Sequence, residues 1–371
     1  MSITDSLALK YRPKKLSQVI GQPVVVKAFE NAFKSKTLHH AYILAGNFGC
    51  GKTTVARIVA ATENCKEHGK DPCGKCSNCK AIFEGKSIEV KEMDAGSGGR
   101  VDDIRELHKS LYQHPVECNT RYVIIDEAHS LTGAAAEASL KMIEEPPKFV
   151  RFILCTTEPQ AFKPTIHSRC ISWGFKKVST AELFKHLKMV AEKEELDFDE
   201  KALMIAAKAS KGSVRNCLQH LQTVVNYVGG GRIEVDPTRE ALSIINDTLY
   251  FDLIDAILDQ NTTKSFVTIN NLFIDGKESK VIVDGIYEHI NNLLIERTCR
   301  AELDQFDFTQ EEAKRLAHQN SNTNGNVLLQ MMNYVGHISF DIEYGLNPAQ
   351  SFNKFAVESI QKVKASKRPK N

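Results

Sequence analysis

Short, nearly unbroken apolar runs punctuate the first half of the chain. Ala41-Tyr42-Ile43-Leu44-Ala45 leads into a glycine-rich turn, Tyr122-Val123-Ile124-Ile125 stops at Asp126, and Phe152-Ile153-Leu154-Cys155 forms a third run. Runs this short and continuous predict strands buried on both faces. Helical spacing between them predicts crossovers, so residues 1–178 read as an α/β domain with a parallel sheet. From Ser179 to Gly229 the apolar period becomes helical, and Ser179-Thr180-Ala181-Glu182 has the spacing of a capping box. Gly229-Gly230-Gly231 is the strongest breaker. Helical spacing returns after Asp236, through Leu249–Leu258, Val281–Ile295 and Val327–Tyr344. These patterns predict a small helical domain over 179–235 and an all-α domain over 236–361. Lys362, Lys364, Lys367, Arg368 and Lys370 predict a solvated, frayed basic tail over 362–371.

Composition narrows the class. A chain of 371 residues accommodates two or three domains. Its 48 basic and 46 acidic residues leave a net charge of +2, so any contact with nucleic acid needs a local basic face. The sequence has no apolar run of about 18 residues and no secretory leader at Met1-Ser2-Ile3-Thr4-Asp5-Ser6. A cytoplasmic protein is expected, and its ten cysteines then read as metal ligands or buried thiols before disulfides.

Three constellations carry chemistry. Gly46-Asn47-Phe48-Gly49-Cys50-Gly51-Lys52-Thr53, with Thr54 adjoining, fits G-x-x-x-x-G-K-[ST] between a strand and a helix. Glycines let backbone N–H groups turn toward phosphate oxygens, and the helix N-terminus adds partial positive charge. Lys52 is expected to reach the β- and γ-phosphates of a bound nucleotide, and the Thr53 hydroxyl to ligate Mg²⁺. Asp126-Glu127 follows a strand directly. Alone, that pair reads as a solvated helix start; beside a phosphate loop, Asp126 reads as the Mg²⁺ carboxylate and Glu127 as the base for an attacking water. The third constellation is Cys65, Cys73, Cys76 and Cys79, in a polar insertion over 64–80. Four thiolates close a tetrahedral Zn²⁺ site of structural type, with a redox pair or an iron–sulfur cluster as alternatives.

With these residues in place the chain resembles the gamma/tau subunits of the bacterial DNA polymerase III clamp loader, within the AAA+ ATPases. Leu9-Lys10-Tyr11-Arg12-Pro13-Lys14, His39-His40-Ala41-Tyr42, the four-cysteine insertion, Glu144-Glu145-Pro146-Pro147, Thr156-Thr157-Glu158-Pro159, Ser168-Arg169-Cys170 and Gly212-Ser213-Val214-Arg215 carry the likeness. It is specific over residues 1–220 and weak beyond them. The resemblance implies an AAA+ α/β domain, a helical lid and an all-α collar that joins subunits into a pentamer. It also implies ATP-driven opening of a sliding clamp and its loading on primer–template DNA.

Roles transfer residue by residue. Tyr11, Arg12, Val19 and Ile20 would border the adenine. Thr157 would sense the γ-phosphate, and Arg215 would contact the phosphates from the lid. Arg169 would act in trans on nucleotide held by a neighbouring subunit. Arg100, Arg105 and Lys109 would face DNA, contacting its backbone phosphates. Two departures stand out: Asn47-Phe48 replaces a position often occupied by arginine, and the Cys65–Cys73 spacing is one residue shorter than usual. The chain also looks like a short or bacteriophage version, without the long tau extension and without a polymerase centre of its own. Asp126-Glu127-Ala128-His129 also occurs in helicases, so a branch-migration motor is one alternative; a non-catalytic assembly subunit is the other.

Overall fold

The computed structural model describes residues 6–367 except 68, 99, 100, 132, 245, 246, 275–277, 307 and 309. The chain forms two compact units, Met1–Leu242 and Ser243–Asn371.

A parallel sheet of β1 (Ala41–Gly46), β2 (Val90–Asp94), β3 (Arg121–Asp126), β4 (Val150–Thr156) and β5 (Ile171–Phe175) organises the first unit, in the order β2-β3-β4-β1-β5. Leu44 pairs with Cys155, and Ile124 with Ile153. The central strands are covered on both faces, as their unbroken apolar runs require. Tyr42, Leu44, Tyr122, Ile124 and Ile153 pack on one face against α1 (Pro23–Ser35) and α2 (Lys52–Glu63). Ala41, Ile43, Val123, Ile125 and Leu154 pack on the other, against α4 (Val101–Leu111) and α5 (Gly133–Glu144). Between α2 and β2 lies α3 (Ser77–Phe83), which closes the cysteine insertion. Because all five strands run the same way, the turns after β1, β3 and β4 emerge at one edge of the sheet, where α/β proteins bind ligands.

Helices α6 (Thr180–Lys193), α7 (Glu200–Ala209) and α8 (Val214–Val228) follow β5 and share a core of Leu183, Leu187, Leu203, Leu218 and Leu221. The expected capping box is present: Ser179 Oγ accepts from the Glu182 N–H while the Glu182 carboxylate receives the Ser179 N–H. Gly229, at φ 59°, ends α8 in the left-handed conformation that glycine adopts most easily. The chain does not leave this unit at 235, as its sequence pattern predicts. Helix α9 (Val235–Ala241) lays Val235 and Ala241 against the same core, moving the boundary to 242/243.

The second unit is helical among its described residues: α10 (Asp247–Leu258), α11 (Thr262–Ile274), α12 (Ser279–Thr298), α13 (Gln310–Ser321), α14 (Gly325–Glu343) and α15 (Pro348–Ser366). Its core joins Leu253, Ile257, Ile286, Ile290, Leu328, Met331, Phe352 and Phe355. Here too the structure corrects the sequence reading. Residues 362–366 continue α15 with Val363 buried in that core, so the basic side chains Lys362 and Lys364 decorate a helix; Arg368 and Lys370 fall outside the described residues. Among the described residues no helix is long and apolar enough to cross a membrane.

Candidate nucleotide site and cysteine cluster

The turn after β1 is shaped by its glycines and by the helices behind it. A Cβ on Gly46, at φ 156°, would stand 2.5 Å from the Phe175 carbonyl oxygen; one on Gly49, at φ 73°, would stand 2.1 Å from Ser213 Oγ. The Gly49 carbonyl accepts from the N–H groups of Val214 and Arg215 at 3.1 and 3.4 Å, so the turn is stapled to the start of α8. Lys52 begins α2 almost buried, and its Nζ donates to the carbonyls of Gly46 and Asn47 at 2.8 and 3.1 Å. The ammonium is therefore held over the mouth of the turn that its own helix dipole faces.

Beside it, Thr53 Oγ1 donates to Asp126 Oδ2 at 2.7 Å. A hydroxyl and a carboxylate in contact, both oxygen donors, suit a hard cation such as Mg²⁺ and the phosphate oxygens it accompanies. Glu127 sits in the left-handed region at φ 45°, ψ 43°, a strained conformation for a non-glycine residue. Its Oε2 accepts from the Thr157 hydroxyl at 3.2 Å. The structure thus brings Lys52, Thr53, Asp126, Glu127 and Thr157 to one edge of the sheet.

Positive charge surrounds the turn. Arg12 Nε donates to Thr54 Oγ1 at 3.0 Å. Burial, together with Arg57 and Arg215 nearby, pushes the Arg12 guanidinium below its usual value, with Glu92 and Asp126 acting in the opposite sense. Three arginines gathered around one turn form a positive field suited to a polyanion. The Arg215 guanidinium lies 5.2 Å over the ring of Phe48, which is exposed on the turn itself. Val19 and Ile20 are half-buried in the same N-terminal segment. Tyr11 reaches the helical part of the unit, its hydroxyl donating to Glu194; burial and this bond raise its pKa to about 12.

The four cysteines of the insertion converge, with all sulfurs within 4.8 Å of one another. A tetrahedral thiolate site needs sulfurs about 3.8 Å apart, from Zn–S bonds near 2.3 Å. Backbone N–H groups already point at the sulfurs, Cys73 toward Cys65 Sγ, Lys75 and Cys76 toward Cys73 Sγ, and Cys79 toward Cys76 Sγ, at 3.3–3.4 Å. Burial raises the Cys76 thiol, but N–H groups of Lys66 and Cys79 and the adjacent thiols outweigh it and hold the pKa at about 6. Four sulfurs so arranged fit a closed metal site. All ten cysteines are free thiols, as expected.

Residues 21–179 match the family described as DNA polymerase III, delta subunit. The gamma subunit of DNA polymerase III from Buchnera aphidicola (subspecies Acyrthosiphon pisum) is 32% identical over 330 residues, 88% of this chain and 91% of that protein. The chain belongs to the DNA polymerase III gamma/tau family. The Escherichia coli tau subunit is 32% identical over 279 residues, 75% of this chain and 43% of the longer protein. Among solved structures, the Holliday junction branch-migration motor RuvB of Thermotoga maritima is 22% identical with a TM-score of 0.48, covering 68% of this chain and 80% of that one.

Other residues singled out in this gamma/tau family chain lie away from the turn's immediate contacts. Arg169 is bound within its own segment, donating to the Thr165 carbonyl at 2.9 Å and to Ser168 Oγ at 3.3 Å, and pairs with Glu144 at 3.2 Å. Lys109 is exposed on α4. Arg100 and the side chain of Arg105 lie outside the described residues. Sequence reasoning missed Arg57, whose Nε and Nη2 bind the Glu92 carboxylate at 2.6 and 2.8 Å beside Arg12. It also missed Thr156 and His129, which meet at 3.1 Å behind Glu127. The position of His129 two residues after Glu127, on a single turn of 3₁₀ helix, was the available signal.

Proposed function

We propose that this chain is the ATP-hydrolysing subunit of a sliding-clamp loader, using ATP to open a ring-shaped clamp and place it on primer–template DNA. The observation that carries the reading is the Thr53–Asp126 contact at 2.7 Å beside Lys52, in a member of the gamma/tau family. In this mechanism the amides of residues 46–53 cradle the triphosphate and the Lys52 ammonium neutralises its β- and γ-phosphates. Thr53 and Asp126 would hold Mg²⁺, which supplies further charge neutralisation on the phosphate oxygens. Glu127 accepts a proton from the attacking water, and Thr157 aligns beside the γ-phosphate. Tyr11, Arg12, Val19 and Ile20 border the base.

Residues 180–241 act as a lid that carries Arg215 to the phosphates, and the second unit serves as the collar joining subunits into a pentamer. Arg169 completes the site of a neighbour. The cysteine cluster holds a structural Zn²⁺. Arg100, Arg105 and Lys109 contribute to backbone contact with DNA in a cytoplasmic assembly, and the polymerase chemistry belongs to other subunits of the holoenzyme.

The test is the ATPase rate of the assembled complex with and without clamp and primed DNA. Both ligands should stimulate hydrolysis. Arg169→Ala should lower the stimulated rate by about 10³-fold, the lower range for an arginine supplied in trans, while ATP still binds. A rate indifferent to clamp and DNA would sink the reading.

A further inference from the structure

Among the described residues, two side chains approach Glu127 and both meet the same oxygen. The Thr157 hydroxyl donates to Oε2 at 3.2 Å, and His129 Nδ1 stands 3.4 Å from that same atom. Among the described residues nothing holds Oε1. A carboxylate anchored at one oxygen presents the lone pairs of the other in a fixed direction, which is what a base aimed at a single water requires.

His129 is itself anchored. Its Nδ1 lies 3.1 Å from Thr156 Oγ1, and Thr156 is fully buried. The Thr156 oxygen is in turn fixed by the Glu158 N–H, which donates to it at 2.9 Å. His129 also borders a cavity of about 170 Å³ whose walls include Leu131, Ser139, Phe162, Lys163 and Ile166. Nδ1 is in hydrogen-bond contact with Thr156 Oγ1 and lies 3.4 Å from the Glu127 carboxylate without a hydrogen bond to it, so the ring holds that oxygen by packing and by charge; a proton on Nδ1 is favoured electrostatically over a bare lone pair facing a carboxylate. The strained backbone of Glu127 adds to the need: a residue held in the left-handed region persists where neighbouring contacts over-determine it.

We propose that His129, backed by Thr156, is a positioning residue that pins one oxygen of Glu127 so that the other meets the attacking water. The inference rests on the ATP-hydrolysis reading and names a residue outside the phosphate loop and the acidic pair. His129 touches neither nucleotide nor water; it works through Glu127.

The experiment compares wild type, Lys52→Ala, His129→Ala and His129→Asn in the full chain assembled with its partner subunits. Steady-state hydrolysis, ATP affinity and thermal midpoint are read for each. His129→Ala should lower kcat by about 10- to 100-fold, the usual cost of a misaimed catalytic group, while KM for ATP changes by less than about threefold. His129→Asn places an amide nitrogen near the Nδ1 position and should recover most of the rate. An unchanged kcat in His129→Ala overturns the proposal. So does a loss in both variants accompanied by a raised KM and a lowered thermal midpoint, which is the pattern of a purely structural residue. If wild type hydrolyses ATP no faster than Lys52→Ala, the nucleotide reading fails and this inference falls with it; the wild-type arm separates that case from the other two.

Discussion

In the first unit, Lys52, Thr53, Asp126, Glu127 and Thr157 gather where β1, β3 and β4 end, all but the lysine partly exposed. In the second, one cluster deep in the helical core is used up by its own members. Gln319, 1% exposed, shows the contrast: its carbonyl faces His289 Nε2 at 2.8 Å, and its amide donates to the Phe251 carbonyl at 2.9 Å and to Asp255 at 2.8 Å. The Arg315 guanidinium lies 4.0 Å over the ring of Phe251. A buried amide with its donors and acceptor engaged rigidifies a core, because any slip between α12 and α13 would strand polar groups away from water. In the first unit, Glu127 holds a left-handed backbone and Lys52 is held by two carbonyls of the turn before it, at the mouth of that turn. Polar groups that satisfy each other build architecture, and polar groups that converge without being consumed build a site.

The largest expected effect tests that division from the side of the site. Lys52→Ala should reduce hydrolysis by about 10²- to 10³-fold, comparable to removing one preorganised donor at developing charge. The fluorescence-monitored unfolding of Trp173, the single tryptophan, on β5 of the same unit, should move little. A large stability loss would mean that the lysine serves the fold first. The second test addresses the helical unit. Burial, with a smaller contribution from Arg315 and against the bond to Gln319, holds His289 at about 4, below its ordinary 6.5. The unfolded chain therefore takes up a proton first as pH falls. Stability of the second unit should be full above pH 6.5, decline between 6.5 and 4 and level off below 4, by about 3 kcal/mol in total. Hydrogen exchange of α12 and α13 amides reads this slope, and His289→Gln should abolish its share. The smallest effect probes the staple between the turn and α8. Ser213 Oγ caps that helix by accepting from the Asn216 N–H at 3.2 Å. Ser213→Ala should cost about 1 kcal/mol, read in chemical denaturation, with a measurable weakening of nucleotide binding. An effect on stability without one on binding would separate the two roles.

Legibility followed the same division. The glycine turn after β1, its neighbour Asp126-Glu127 and the convergence of the four cysteines could be read from sequence because such groupings constrain residue type and local spacing. The strands were legible because burial on both faces leaves continuous apolar runs. Contacts that depend on tertiary approach were not: nothing local foretells that Gly49 meets Ser213, that Arg57 and Arg12 share a field, or that His129 leans on Thr156. His289 and Gln319 look like ordinary polar positions on amphipathic helices. The boundary at 242 and the helical end at Ser366 were missed for a related reason. Val235 and Val363 stand between charged residues, and only the core each packs against shows that they face inward.

The Arg169–Glu144 pair has its own consequence. At 3.2 Å and with both side chains more than a third exposed, such a pair is worth only about 0–1 kcal/mol. The guanidinium is parked rather than locked: apart from its bonds to the Thr165 carbonyl and Ser168 Oγ, it gives up little when it exchanges Glu144 for another anion.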